Sequence, residues 1–152
     1  MRRITPFVVL AIAALTLAGC QRIRTRLGIG ESITNPEAGT PEKVIQDVLK
    51  TGKVADEEEG WQQFVALLHS EETELPSSLN NWREFKYRAI RKKADLLLTD
   101  RIAYHYKLMD RREEGKSLML FVANSSSDMP TPCRVKQDPA QGNAWRVSGA
   151  CF

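Results

Sequence analysis

Ile102-Ala103-Tyr104-His105-Tyr106-Lys107-Leu108-Met109 is the stretch in which the chain changes period. Upstream, apolar residues recur at helical spacing; from here they alternate. Ile102, Tyr104, Tyr106 and Leu108 fall on one face of an expected strand, with Ala103, His105, Lys107 and Met109 on the other. Arg111 to Gly115 reads as a turn, and Ser117 to Asn124 returns as an apolar strand. After a loop from Ser125 to Pro132, Cys133 to Gln137 and Ala144 to Phe152 read as two further strands.

Upstream of that switch, Thr40-Pro41-Glu42 opens a helix: Thr is a good N-cap, Pro is tolerated at the first position, and the acid suits the positive helix end. Val44, Ile45, Val48 and Leu49 share its apolar face, and Gly52 reads as its stop. A second helix follows the acidic run Asp56 to Glu59, with Trp61, Phe64, Val65 and Leu68 at helical spacing and His69 at its end. Pro76-Ser77-Ser78 starts a third, longer helix to about Leu98, with Leu79, Trp82, Phe85, Ala89 and Leu97 as its expected core face. Lys86 and Lys93 lie at the edge of that face, placed to snorkel. Helices followed by strands make an α+β domain over residues 40–152, N-terminal helices on an antiparallel sheet of about four strands.

Composition agrees with one compact domain: 152 residues, 42% hydrophobic and 27% charged. The formal charge is +3, and setting aside Arg2 and Arg3 leaves 20 basic against 19 acidic residues. Such a balance gives no global attraction to nucleic acid.

Arg2 and Arg3 precede a short apolar run from Phe7 to Leu17, the order of a cleavable export signal. At about 12 residues, closed off by Arg22, Arg24 and Arg26, the run falls short of the ~20 that a membrane-crossing helix needs. Leu17-Ala18-Gly19-Cys20 resembles the bacterial lipobox. That resemblance implies a signal peptide over residues 1–19 and a diacylglyceryl thioether on Cys20, the first residue of the mature chain. An added N-acyl (palmitate-type) chain makes the attachment lasting, at about 0.8 kcal/mol per buried methylene. Gln21, where an Asp commonly signals inner-membrane retention, implies the periplasmic side of the outer membrane in a Gram-negative host. Residues 20–39 carry no helical or strand period and are broken by Gly28, Gly30, Asn35, Pro36 and Gly39, so they read as a flexible tether.

With Cys20 assigned to lipid, Cys133 and Cys151 remain as an even pair, which suits an oxidising compartment. A hairpin whose paired positions sum to 284 puts them opposite each other, whereas a shorter loop leaves them diagonal. A disulfide is the favoured reading over two free thiols, and their spacing does not fit a Cys-x-x-Cys redox motif.

The order of elements, with Trp145-Arg146-Val147 as a closing strand, resembles the NTF2-like (cystatin-like α+β) superfamily. The resemblance implies helices packed on the concave side of a curved antiparallel sheet. It does not imply a function, since that architecture hosts enzymes, binding proteins and assembly modules.

Chemistry is sparse. The two histidines, His69 and His105, have no Cys, Asp or Glu at metal-ligand spacing, so no metal and no cofactor is expected. No Gly-x-Ser-x-Gly elbow and no His-Glu-x-x-His helix is present, and no catalytic residue is assigned. Gly115-Lys116-Ser117 echoes a phosphate loop but has Asp110 where the first Gly belongs. If the sheet encloses a cone, Tyr104, His105, Tyr106 and Trp145 are the candidate pocket; the same aromatics serve equally as core. The sequence thus favours a non-enzymatic binding or assembly module, held to the membrane by its lipid and meeting an envelope protein partner. The alternative is an NTF2-like domain that binds or turns over a small apolar ligand.

Overall fold

The computed structural model describes residues 30–152. Helices cover one face of a six-stranded antiparallel sheet, an α+β architecture. The elements run β1 (Glu31–Ile33), α1 (Pro41–Lys53), α2 (Glu57–Val65), α3 (Ser70–Thr73) and a long helix α4. Three stretches make up α4: Pro76–Asn81, a π turn at Trp82–Tyr87, and Arg88–Leu97. Then follow β2 (Leu98–Asp100), β3 (His105–Glu114), β4 (Ser117–Asn124), β5 (Ser127–Asp138) and β6 (Ala144–Cys151). The sheet order is β1-β3-β4-β5-β6, with β2 also paired to the start of β3.

Six strands replace the expected four because β1 and β2 are only three residues each, too short to show a period. Ile33 of β1 pairs with Tyr106, so part of the segment expected as a tether belongs to the sheet. The alternating stretch also begins later than expected. Ile102 is 92% exposed on a turn whose N–H groups at 102 and 103 both donate to the Asp100 carboxylate, at 2.8 and 2.9 Å. Tyr104 leaves that turn at φ +56°, and alternation holds only from His105. At the other end, β3 continues through Arg111 to Glu114 instead of turning; the hairpin tip is Gly115-Lys116 alone. Gly115 supplies its positive φ of 64°.

Local chemistry sets the helix starts. Thr40 Oγ1 accepts from Lys43 N, and Asp56 Oδ1 accepts from Glu59 N at 2.7 Å. Gly52 does not stop α1: it is the point where α1 presses on α4, and a Cβ there would crowd Ala94 and Ile90. His69 does not end α2. It caps α3, its Nδ1 accepting from Glu71 N, and is buried.

The π turn reorders the expected core face of α4. Trp82, Tyr87, Ile90, Ala94 and Leu97 are buried, whereas Phe85 is 69% exposed. One extra residue in the turn makes the first step five residues long, which carries Tyr87 inward and swings Phe85 out. Trp61, Phe64, Trp82 and Tyr87 then form one aromatic cluster, with centroids 5.1 Å apart for Phe64–Tyr87 and 5.6 Å for Phe64–Trp82. Tyr87 Oη donates to Thr51 O at 2.8 Å.

The β5–β6 hairpin starts with Asp138 opposite Ala144 and keeps that register to Val135 opposite Val147. A bulge then adds two residues to β6, so that Cys133 faces Cys151, and the two are joined as a disulfide. Gly149, at φ +79°, lies in the bulge. Its N–H donates to Glu72 Oε1 at 2.7 Å, and its carbonyl accepts from Lys86 Nζ at 2.8 Å. Lys86 also lies 4.0 Å above the Trp82 ring, whose Nε1 donates to Glu72 Oε2. This small network ties α3 and α4 to β6. On the same side Leu67–His69 meets β6: Val147 N donates to Leu67 O and His69 N donates to Val147 O.

Candidate functional site

The four aromatic and histidine positions expected to share a pocket do not meet. Tyr106 is fully buried, its phenol donating to Glu42 O at 2.9 Å, and burial pushes its pKa far above the usual tyrosine range. It is a core residue that supplies no acid or base at neutral pH. Tyr104 lies at the tip before β3, with its carbonyl accepting from Gln46 Nε2 and Lys50 near its ring. His105 opens β3 opposite Asp100. Trp145 is at the opposite end of the sheet, three strands away, because β6 begins where β3 ends. The aromatic cluster comes from α2 and α4 and belongs, with Tyr106, to one buried core. Cys20 lies outside the described residues.

The site the fold does build is at the end of the sheet where two turns converge: the β3–β4 tip at Gly115-Lys116 and the β5–β6 loop from Pro139 to Asn143. Between them opens a cleft of about 620 Å³, with Leu118 and Trp145 as its apolar part and Glu71, Glu113, Lys116 and Lys136 as its charged lining. That volume falls within the ~300–1,000 Å³ typical of small-ligand sites.

Each wall has a local cause. Asp138 ends β5 and is buried; burial alone would raise its pKa, but the N–H and hydroxyl of Ser70 and the N–H of Ala140 hold it below the usual carboxylate range. Asp138 thereby fixes both the start of α3 and the turn Pro139–Gln141. Gly142 and Asn143, at φ +66° and +60°, reverse the chain into β6. Glu71, next to the α3 cap, accepts from Lys136 Nζ through both oxygens at 2.8 Å, and that ammonium lowers its pKa.

The polar groups of this cleft divide sharply. Glu71 and Lys136 are spent on each other. In contrast, the Trp145 Nε1, the amides of Gln137 and Asn143, the Glu113 carboxylate and the Lys116 ammonium make no hydrogen bond or ion pair among the described residues. A second, shallower cleft of about 380 Å³ beside β1 differs: its Arg111 already bridges Glu31 and Glu42. The first cleft is therefore the candidate site.

Of the expected pocket residues, only Trp145 belongs to it. Glu71, Leu118, Lys136, Gln137 and Asn143 were not singled out from sequence. The available signal was the pair of turn segments, Glu114-Gly115-Lys116 and Pro139 to Asn143, which a hairpin order brings to the same end of a sheet. Among the described residues, no group of three or more His, Cys, Asp or Glu is placed to hold a metal ion, and no helix is long and apolar enough to cross a membrane. No protein-family model, no curated protein and no solved structure matches the chain.

Proposed function

We propose that this protein is a lipid-anchored, non-enzymatic binding module of the bacterial cell envelope, which holds its partner in the cleft beside Trp145. The lipobox-like Leu17-Ala18-Gly19-Cys20 supports the anchor, and Gln21 supports the outer membrane as its address. The disulfide between Cys133 and Cys151 accords with an oxidising compartment on the far side of the inner membrane. The observation that carries the binding role is the contrast between an interior filled by Trp61, Phe64, Trp82, Tyr87 and Tyr106 and an open cleft with unpaired polar groups.

The NTF2-like reading belongs with this proposal as a statement about shape. Helices that precede all strands but the short β1 support it, and the register shifts near Leu108, Val122 and Cys133 are irregularities of the kind that bend a sheet. A ligand pocket at Tyr104, His105 and Tyr106 is disfavoured by the burial of Tyr106.

Two measurements test the proposal. Mass spectrometry of the full-length protein from membranes should find Cys20 acylated, and Cys20→Ala should release the chain from the membrane; a bare thiol on an uncut leader would refute the anchor. Co-purification from detergent-solubilised envelopes should recover a protein or glycan that Trp145→Ala loses. Recovery of nothing, or of the same material with the variant, would refute the cleft.

A further inference from the structure

We infer that the ligand of the Trp145 cleft is an uncharged saccharide, held with one face against the indole and its hydroxyls in the surrounding side chains. This rests on the reading of the cleft as the binding site and adds the chemistry of what occupies it.

Three features of the cleft select that class. The first is charge. Glu71 and Glu113 balance Lys116 and Lys136, so the lining has no net charge and no reason to concentrate a phosphate, a nucleic acid or a polycation.

The second is the backbone. Ser117 is paired to both Glu114 and Lys136, Leu118 to both Glu113 and Val135, and Lys136 to both Ser117 and Arg146. β4 and β5, which supply Ser117, Leu118, Lys136 and Gln137, have neighbours on both sides and offer no edge to a peptide strand, while the outer side of β6, the edge strand, is already met at Val147 by Leu67 and His69. Recognition there falls to side chains.

The third is what those side chains offer. Trp145, partly buried against the core, lines the cleft with Leu118 and Pro139 as its apolar part, and its indole N–H makes no hydrogen bond among the described residues. Gln137 and Asn143 each bring an amide that both donates and accepts, Glu113 only accepts, and Lys116 only donates. A pyranose matches that set: its C–H face is apolar enough to stack on an indole, and each hydroxyl at its rim both donates and accepts. A purely apolar ligand would leave the five polar groups unsatisfied, at a desolvation cost for each.

The chain carries its own reporter. Trp61 and Trp82 are 4% and 0% exposed, which leaves Trp145 as the tryptophan that solvent reaches among the three. The full-length chain in detergent micelles is titrated with chitotriose and, separately, with maltotriose. Acrylamide quenching of tryptophan emission should fall, saturably, with at least one of them. By calorimetry, Trp145→Ala should weaken binding at least about tenfold, the effect of roughly one stacked ring. Gln137→Ala, at an exposed position, should weaken it severalfold with an unchanged melting temperature, so that the outcome does not hinge on how Trp145→Ala folds.

No saturable binding of either sugar, or binding that both variants leave unchanged, would overturn the assignment. If neither sugar binds while envelope co-purification still depends on Trp145, the saccharide assignment fails and the cleft stands. A co-purifying species that proves to be a polypeptide would have the same meaning. If co-purification is indifferent to Trp145, the site itself is wrong.

Discussion

Deletion of Phe85 should leave the domain folded, although removing one residue from a buried helix ordinarily destroys it. The core-facing residues of α4 are Trp82, Tyr87, Ile90, Ala94 and Leu97, and every step between them is three or four residues except the first. Without Phe85, that first step becomes four, the π turn relaxes to ordinary α-helix, and the buried stripe runs unbroken. Phe85 is 69% exposed, so little burial is lost, and the expected change in unfolding free energy is within about 1 kcal/mol. The matched control is deletion of Lys92, an exposed residue in the α-helical part. There the chain beyond the deletion rotates by about 100° and takes Ala94 and Leu97 off the core face. Losing Leu97 alone costs about 1.5–3 kcal/mol, and the misplaced backbone adds more, against a total of roughly 5–15 kcal/mol for a domain. Urea unfolding followed by circular dichroism separates the two cases. Equal losses for both deletions would refute the idea that the π turn sets the register of α4.

Three further expectations follow from packing and charge. Gly60→Ala should destabilise by about 2–3 kcal/mol in thermal unfolding, because its Cβ would overlap Tyr87 Oη and the Thr51 carbonyl; a neutral effect would contradict the contact. Replacing Cys133 and Cys151 by Ser should cost about 3 kcal/mol, measured against the oxidised parent, and the two thiols should label only after reduction. Asp138 has a depressed pKa in the folded state, so its contribution is present above the unfolded value of about 4 and is lost as pH falls through the lower folded value. Urea midpoints between pH 7 and pH 2 should therefore drop less steeply at the acid end for Asp138→Asn than for the parent, with the variant already about 1–3 kcal/mol weaker at neutral pH.

Much of the architecture is legible in the sequence because long periodic segments report their own burial. The α1 cap at Thr40 and its stripe Val44, Ile45, Val48 and Leu49 appear in the fold as the pattern implies. The bounds of β4 do so as well, as does the pairing of Cys133 with Cys151. What the pattern does not carry is of three kinds. Three-residue strands such as β1 and β2 are shorter than one detectable period. A single inserted residue, as in the π turn, moves the core positions that follow it, so Tyr87 and Ile90 are buried where Phe85 and Ala89 are expected. Ile102 is an apolar residue held outward by a turn that Asp100 caps, and alternation alone assigns it to the core. The candidate site suffered most. Its members come from α3, both hairpin turns and four strands, so they are gathered by topology and share no local motif.

The most direct test of the account places a photoreactive phenylalanine analogue at Leu118 in the full-length protein in living cells, with the same group at Met129 as control. Met129 is 77% exposed at the far end of the sheet, and Leu118 lines the cleft. Illumination should yield a discrete adduct, glycan or protein, from position 118 and none from 129. Adducts from 129 alone, or the same adducts from both positions, would contradict the assignment of the Trp145 cleft as the place where this protein binds.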